Sequence, residues 1–377
     1  MHFSDKSSCQ LSRRHWLLAS AALLERIGHM GHMRSTMAAD VPWLKDVTTP
    51  PIQSPEDTVK LSPLLLNQDG KTIETLEAWE TEREKIHRRW LDFLGPMPAE
   101  RPTIELQILA EDHREGITRQ LVRYETEEDV PVEGYLLKPS DSKTLQPRPG
   151  IVALHQTTRH TIDQVAGLAG PAEQQVGWKL ARRGLVVFCP RCFLWQNATN
   201  FVQAMAHFKR RHPHTNCMHK MLWDASRGVD VLTSLPEVAP NRIGAAGHSL
   251  GAIETLYLAA FDERIKASAA SEPGIGIHFN NWYDPWFLGP AVRDPDFPLD
   301  HHQLLAMIAP RPFLLLSGES GKHASDGDRS WPYLTAAAQV YQLYDQTARI
   351  GMHNHHQGHT LPSQAFEKMA QWLEAYL

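Results

Sequence analysis

Gly247-His248-Ser249-Leu250-Gly251 has the pattern G-x-S-x-G. Residues 242–246 before it read as a short buried strand, and residues 251–261 after it read as a helix. A serine on so sharp a strand-to-helix turn has its hydroxyl lifted clear of the sheet and set at a helix N-terminus. Only small residues fit on either side of that turn, which accounts for the two glycines. The chemistry implied is nucleophilic attack by Ser249, with the Leu250 amide donating to the oxyanion that forms.

A serine hydroxyl needs a base. Residues 352–362 contain His353, His355, His356 and His359. His359 follows Gly358, comes after the last expected strand and precedes the closing helix, so it is assigned as general base. The other three read as surface or pocket-lining polar residues. A metal cluster there would need a nearby acidic ligand, and the segment has none, so no metal is assigned. The acid that orients the imidazole has two candidates. Asp326, in the segment 317–328 after the expected strand 312–316, is the first choice, with Glu319 and Asp328 close by. Glu272, at the end of the preceding expected strand 265–270, is the second.

A second oxyanion donor should come from the loop after the first central strand. There the order is Leu154-His155-Gln156-Thr157-Thr158, and the Gln156 amide is the expected donor. His155 is a candidate for contact with substrate, although a strand-end histidine more often serves the structure. The chain also holds 11 Trp. Trp195, Trp282 and Trp286 fall in two long insertions that follow strand ends, and are expected to line a pocket above Ser249. Aromatic rings with a few amides suit a flat or sugar-like substrate. The competing reading is that these rings only pack the insertions together.

These groups need a frame. Residues 72–94 carry Leu76, Trp79, Ile86, Trp90 and Phe93 at helical spacing, and Gly95-Pro96 stops that helix. Residues 103–109, 118–124 and 132–137 alternate as half-buried antiparallel strands. From residue 151 the pattern changes to short apolar strands (151–154, 185–188, 242–246, 265–270, 312–316 and 348–352) separated by amphipathic helices, among them 172–183, a long one around Met218–Leu232, and 363–376. That alternation means βαβ units and a mainly parallel sheet flanked by helices. The organisation expected is an N-terminal extension over 40–100 and a catalytic domain over 101–377. Insertions at about 191–216 and 274–302 stand at the strand ends where open α/β sheets bind ligands.

The ends and the composition set further bounds. Ser12-Arg13-Arg14-His15-Trp16-Leu17 has the form of a twin-arginine export signal, with small residues for cleavage near Ala38-Ala39, so residues 1–39 are expected to be removed on export to the periplasm or beyond. No stretch reaches the length of a membrane span. The 377 residues carry a net charge of −5, which argues against a nucleic-acid partner held by a broad basic surface. Cys189, Cys192 and Cys217 read as buried thiols, or as one disulfide with a free thiol.

The chain resembles a known group. Leu154-His155-Gln156-Thr157-Thr158, the segment 242–261 and Asp262-Glu263-Arg264-Ile265-Lys266-Ala267 are similar to those of the dienelactone-hydrolase-like and acetyl-xylan-esterase-like α/β-hydrolases. The likeness covers roughly residues 100–377. It implies an α/β-hydrolase fold and a triad in the order Ser, acid, His. Ser271-Glu272-Pro273-Gly274-Ile275-Gly276 is similar to the acid segment of glucuronoyl esterases, which keeps Glu272 in contention. Dienelactone hydrolases proper use a cysteine nucleophile; this chain has Ser249.

The function expected is an exported serine esterase that needs no cofactor. Its substrate would be a small-molecule or carbohydrate-linked ester, with acylated carbohydrate or related plant-derived esters in view. Three alternatives stand beside it: a prolyl-oligopeptidase-like serine peptidase, a glucuronoyl-esterase-like activity, and a non-catalytic binding protein on the same fold. A peptidase of that type usually carries a β-propeller, and about 100 residues before the catalytic domain cannot build one. The sequence does not fix the oligomeric state.

Overall fold

A computed structural model describes residues 40–51, 60–67, 69–140, 146–320 and 323–377, and the export signal read in residues 1–39 lies outside them. The described strands are β1 (Gln107–Arg114), β2 (Ile117–Glu127), β3 (Val130–Pro139), β4 (Arg148–Leu154), β5 (Val186–Pro190), β6 (Val238–His248), β7 (Ile265–Ser271), β8 (Phe313–Ser317) and β9 (Ile350–Asn354). The helices are α1 (Leu44–Thr48), α2 (Leu76–Leu94), α3 (Thr161–Val165), α4 (Val176–Ala181), α5 (Phe201–Arg211), α6 (Cys217–Ser234), α7 (Leu250–Phe261), α8 (His301–Ile308), α9 (Trp331–Gln342) and α10 (Ser363–Tyr376).

The strands form one sheet in the order β1-β2-β3-β5-β4-β6-β7-β8-β9. β1, β2 and β3 are an antiparallel meander, and β3 joins β5 antiparallel. From β5 to β9 every pairing is parallel. After β4 the chain places β5 on one side of it and then returns to place β6 on the other. The connections therefore leave on opposite faces and open a crevice at the C-terminal ends of β4 and β6, where ligands bind in such sheets. The Gln156 loop follows β4, and Ser249 follows β6.

Each central strand is apolar on both sides because both sides are covered. Val152 and Leu154 of β4 face one core with Trp79, Trp90 and Tyr257. Ile151 and Ala153 face the other with Trp178, Trp372 and Leu373. The helix expected near the N-terminus is α2. Thr75 caps it by accepting from the Ala78 amide at 3.2 Å, and Gly95 ends it at φ 81°.

Three expectations shift. The first strand begins at Gln107, later than expected, because its register is set by the turn at Glu115-Gly116. Both residues have positive φ, 49° and 76°, as a two-residue hairpin of the right twist requires. The helix expected over 172–183 is a short 3-10 turn, Ala172–Gln174, followed by α4. Helices α1, α3, α5, α8 and α9 do not show in the sequence pattern. The insertions contain α5 and two 3-10 turns, Phe193–Trp195 and Pro290–Arg293, and the second ends in α8.

Helix α7 is buried along its length and meets β4 closely. A Cβ on Gly251 would run into the Leu154 carbonyl, and one on Gly247 would run into the backbone of Gly251. Backbone cannot yield as a side chain can. Gly251→Ala is therefore expected to destabilise the protein by roughly 2 kcal/mol or more, read as a lower urea midpoint. An unchanged midpoint would contradict this packing.

Glu254 also lies on α7, 3% exposed. Burial, then the nearby Asp224 carboxylate, push its pKa from 4.5 up to about 8, against a hydrogen bond from the Cys192 thiol. A raised carboxyl holds its proton in the folded chain and has lost it in the unfolded chain. Its contribution is present below 4.5 and is lost as pH rises toward 8. Glu254→Gln should remove this dependence, so the variant gains on the wild type with rising pH by up to about 1.4 kcal/mol per unit. Urea midpoints of both proteins at pH 5 and pH 8 check it, and a constant difference between them would refute it.

Candidate active site

Ser249 sits between β6 and α7 with φ 57° and ψ −121°, outside the regions open to a residue with a Cβ. Such a conformation costs about 1–3 kcal/mol and persists only where its surroundings fix it. Here they do. The Ser249 amide donates to the Ser271 carbonyl at 2.8 Å, which ties the turn to the end of β7, and its carbonyl accepts from the Ala252 and Ile253 amides. Leu250 begins α7, so its amide is one of the first-turn donors that a helix cannot satisfy internally.

The hydroxyl oxygen of Ser249 lies 2.8 Å from Nε2 of His359, and Nδ1 of His359 lies 3.3 Å from Oε2 of Glu272. An ionised carboxylate only accepts, so Nδ1 carries the proton and Nε2 is free to accept from the serine. Glu272 is fully buried, and its backbone, like that of Ser249, has positive φ, 60°. The Gly318 amide donates to Oε1. The amide and hydroxyl of Ser325 donate to Oε2 at 3.0 and 3.1 Å. These donors satisfy both oxygens of a carboxylate that is closed off from solvent.

Asp326, the first choice as acid, makes no hydrogen bond or ion pair with His359. Its Oδ2 accepts from the Gly274 amide at 2.8 Å, and its Oδ1 from the Ile275 amide at 2.7 Å and the Ser330 hydroxyl at 2.9 Å. It therefore braces the backbone just beyond Glu272. Burial and the neighbouring Glu272 carboxylate raise its pKa. The two candidates exchange places because the β8 loop folds across the end of β7, which spacing along the chain does not reveal. Glu319 and Asp328 lie further out, both accepting from Asn354 at 3.0 Å, and Glu319 also meets Nδ1 of His356 at 2.8 Å.

His155 is also corrected. It is 2% exposed. Its Nδ1 donates to the Gln156 carbonyl at 2.9 Å and its Nε2 accepts from the Cys192 amide at 3.0 Å. Burial holds its pKa down to about 4. A neutral ring with both nitrogens engaged has nothing left for a substrate. Instead it ties the Gln156 loop to the start of the first insertion. Trp282 is the third correction. It is fully buried, its indole N–H donates to the Gly274 carbonyl at 2.7 Å, and its ring packs on His301 at 4.3 Å. It is the core of the second insertion.

Trp195 and Trp286 are half-buried, and Phe201 stands between them. The Trp195 ring meets His155 at 5.1 Å and Phe201 at 4.9 Å, and Phe201 meets Trp286 at 5.5 Å. The three rings join the two insertions beside the Gln156 loop. Cys189, Cys192 and Cys217 are free, buried thiols, so of the two readings of the cysteines the disulfide is excluded.

Three participants went unnoticed in the sequence. His248 packs its ring 4.9 Å from that of His359, and its Nδ1 meets the Ser271 hydroxyl at 3.0 Å. Burial, with His359 and His355 close by, holds it neutral with a pKa of about 3. Its place inside G-x-S-x-G could have marked it. Gly318 and Ser325 carried no signal, since their part is played by backbone amides and one small hydroxyl.

The likeness to known proteins agrees with this architecture. The model of the dienelactone hydrolase family matches residues 132–304. A 4-O-methyl-glucuronoyl methylesterase from Cerrena unicolor is 28% identical over 171 residues, 37% of this chain and 36% of that protein. The chain thus spans about a third of the length of that curated relative. Among solved structures, the glucuronoyl esterase from Solibacter usitatus superposes with a TM-score of 0.71 at 17% identity, covering 86% of this chain and 99% of that one. A putative acetyl xylan esterase from Bacteroides fragilis gives 0.57 at 13% identity, covering 83% and 86%. With its parallel sheet, its serine turn after β6 and its match to the dienelactone hydrolase model over residues 132–304, the chain has the α/β-hydrolase fold that these esterases share.

Proposed function

We propose that this protein is a serine esterase that hydrolyses carboxylic esters of carbohydrates, with esters of a uronate carboxyl group first among them. One observation carries the reading: the hydroxyl of Ser249, the imidazole of His359 and the carboxylate of Glu272 stand in line, 2.8 and 3.3 Å apart at the two junctions. Ser249 attacks the ester carbonyl carbon and passes its proton to Nε2 of His359. Glu272 stabilises the imidazolium through Nδ1. The amides of Leu250 and Gln156 receive the developing oxyanion. His359 then protonates the leaving alcohol. Water, deprotonated by the same imidazole, releases the acid from Ser249.

The uronate ester is supported by two findings of different kinds. The curated relative is named a 4-O-methyl-glucuronoyl methylesterase, and the Solibacter usitatus protein a glucuronoyl esterase. Trp195, Phe201 and Trp286 also offer half-buried aromatic surface beside the Gln156 loop, where the flat face of a sugar ring can rest. The twin-arginine segment stands as the proposed route of export. Among the described residues no helix is long and apolar enough to cross a membrane.

A panel of uronate methyl esters, acetylated sugars, aryl esters and peptide amides tests the substrate, and the fastest turnover is expected on the uronate esters. Equal or faster turnover of the peptide amides would overturn the esterase reading. Ser249→Ala and His359→Ala should each lower kcat by about 10⁴-fold or more. Glu272→Ala should cost far more in kcat than Asp326→Asn, whose main effect should be on stability. The reverse ranking would restore Asp326 as the acid.

A further inference from the structure

We propose that His355 is a positioning residue: a second imidazole on Glu272 that keeps the carboxylate turned so that Oε2 faces His359. The proposal rests on the reading of Ser249, His359 and Glu272 given above. His355 stands one residue beyond β9. Its amide donates to the Ser317 carbonyl at 2.8 Å, which extends the β8–β9 pairing by one step and sets the side chain at the catalytic edge of the sheet.

The ring's proton is located by its neighbours. Nδ1 accepts from the Gln357 amide at 3.2 Å. A neutral imidazole that accepts at Nδ1 carries its proton on Nε2. That Nε2 is buried and has no hydrogen-bond partner. It lies 3.8 Å from Oε1 of Glu272, with the His355 side chain 4% exposed and Glu272 fully buried. An unpaired buried donor is unfavourable, so such a group calls for a reason. The carboxylate supplies one. Ser325 and His359 engage Oε2, while the Gly318 amide and the His355 Nε2–H attend Oε1.

This matters most when the charge moves. Once His359 has taken the serine proton, Glu272 must stay aligned with Nδ1 although the field around it has changed. A donor fixed near Oε1 opposes the rotation that would carry Oε2 away. The 3.8 Å separation is long for a hydrogen bond and short enough to close by a small movement of either side chain. Burial, opposed by the Thr360 backbone carbonyl, which favours the charged ring, holds the pKa of His355 below its ordinary 6.5, so at neutral pH it is a neutral donor and brings no competing positive charge.

The test uses the full chain with His355→Ala and His355→Gln. Glutamine retains an N–H that reaches Oε1, whereas alanine does not. His355→Ala should lower kcat by roughly ten- to hundredfold with KM little changed, as expected for losing a hydrogen bond to a charged group, and His355→Gln should recover most of it at an equal Tm. A ring that merely fills space would give equal losses in both variants, or a loss that follows Tm, and either result overturns the proposal, as does unchanged kcat in His355→Ala. Failure of the underlying esterase reading looks different: the wild type would neither turn over an ester nor be labelled at Ser249 by a fluorophosphonate. In that case long-range proton–nitrogen spectra of the ¹⁵N-labelled chain still decide the geometry. They should show neutral His355 as the Nε2–H tautomer, and an Nδ1–H tautomer would overturn it.

Discussion

A serine held at φ 57° and ψ −121° is the constraint around which the rest of this protein is arranged. The conformation is unfavourable by itself, and each nearby element contributes to holding it. β6 brings the chain in through the middle of the sheet, and α7 leads it away at once. Between them there is room only for backbone, so Gly247 and Gly251 lack side chains and α7 packs directly against the Leu154 carbonyl. The end of β7 accepts the Ser249 amide. The reversal of strand order around β4 then brings the Gln156 loop alongside, with the crevice open above it.

The second centre of organisation is a single buried carboxylate. Glu272 lies at the end of β7, next to the residue that accepts the Ser249 amide, so one strand end positions both the serine turn and the acid. The loop after β8 folds over it and supplies the Gly318 amide, the Ser325 amide and the Ser325 hydroxyl. Asp326, in the same loop, turns away and grips the Gly274 and Ile275 amides. The two acids divide the work. One faces the imidazole, and the other fixes the backbone that carries the first.

Around this centre is a shell of neutral histidines. His155 and His248 are buried with lowered pKa values, because burial penalises the charged ring more than the available acceptors favour it. They act as rigid hydrogen-bonding groups that link loops: His155 joins the Gln156 loop to the first insertion, and His248 joins the serine turn to Ser271. Two of the chain's histidines thus anchor loops at the edge of the sheet where Ser249 and His359 meet.

What the sequence determined by itself is what depends on near neighbours along the chain. The serine turn was legible because strand, small residues and helix are contiguous. The parallel sheet was legible because strands covered on both faces must be apolar throughout. His359 was legible because it follows the last strand and precedes α10. The tertiary structure decided everything that depends on distances between separate strand ends. Glu272 and Asp326 are both acids on loops at one edge of the sheet, and only the path of the β8 loop selects which meets the imidazole. Trp282 and Trp286 are four residues apart in one insertion, yet the first is sealed in the core and the second stays half-exposed. A single chain position carries no record of which neighbour will cover it, and that covering is what turns a carboxylate into a partner for His359 or a tryptophan into packing.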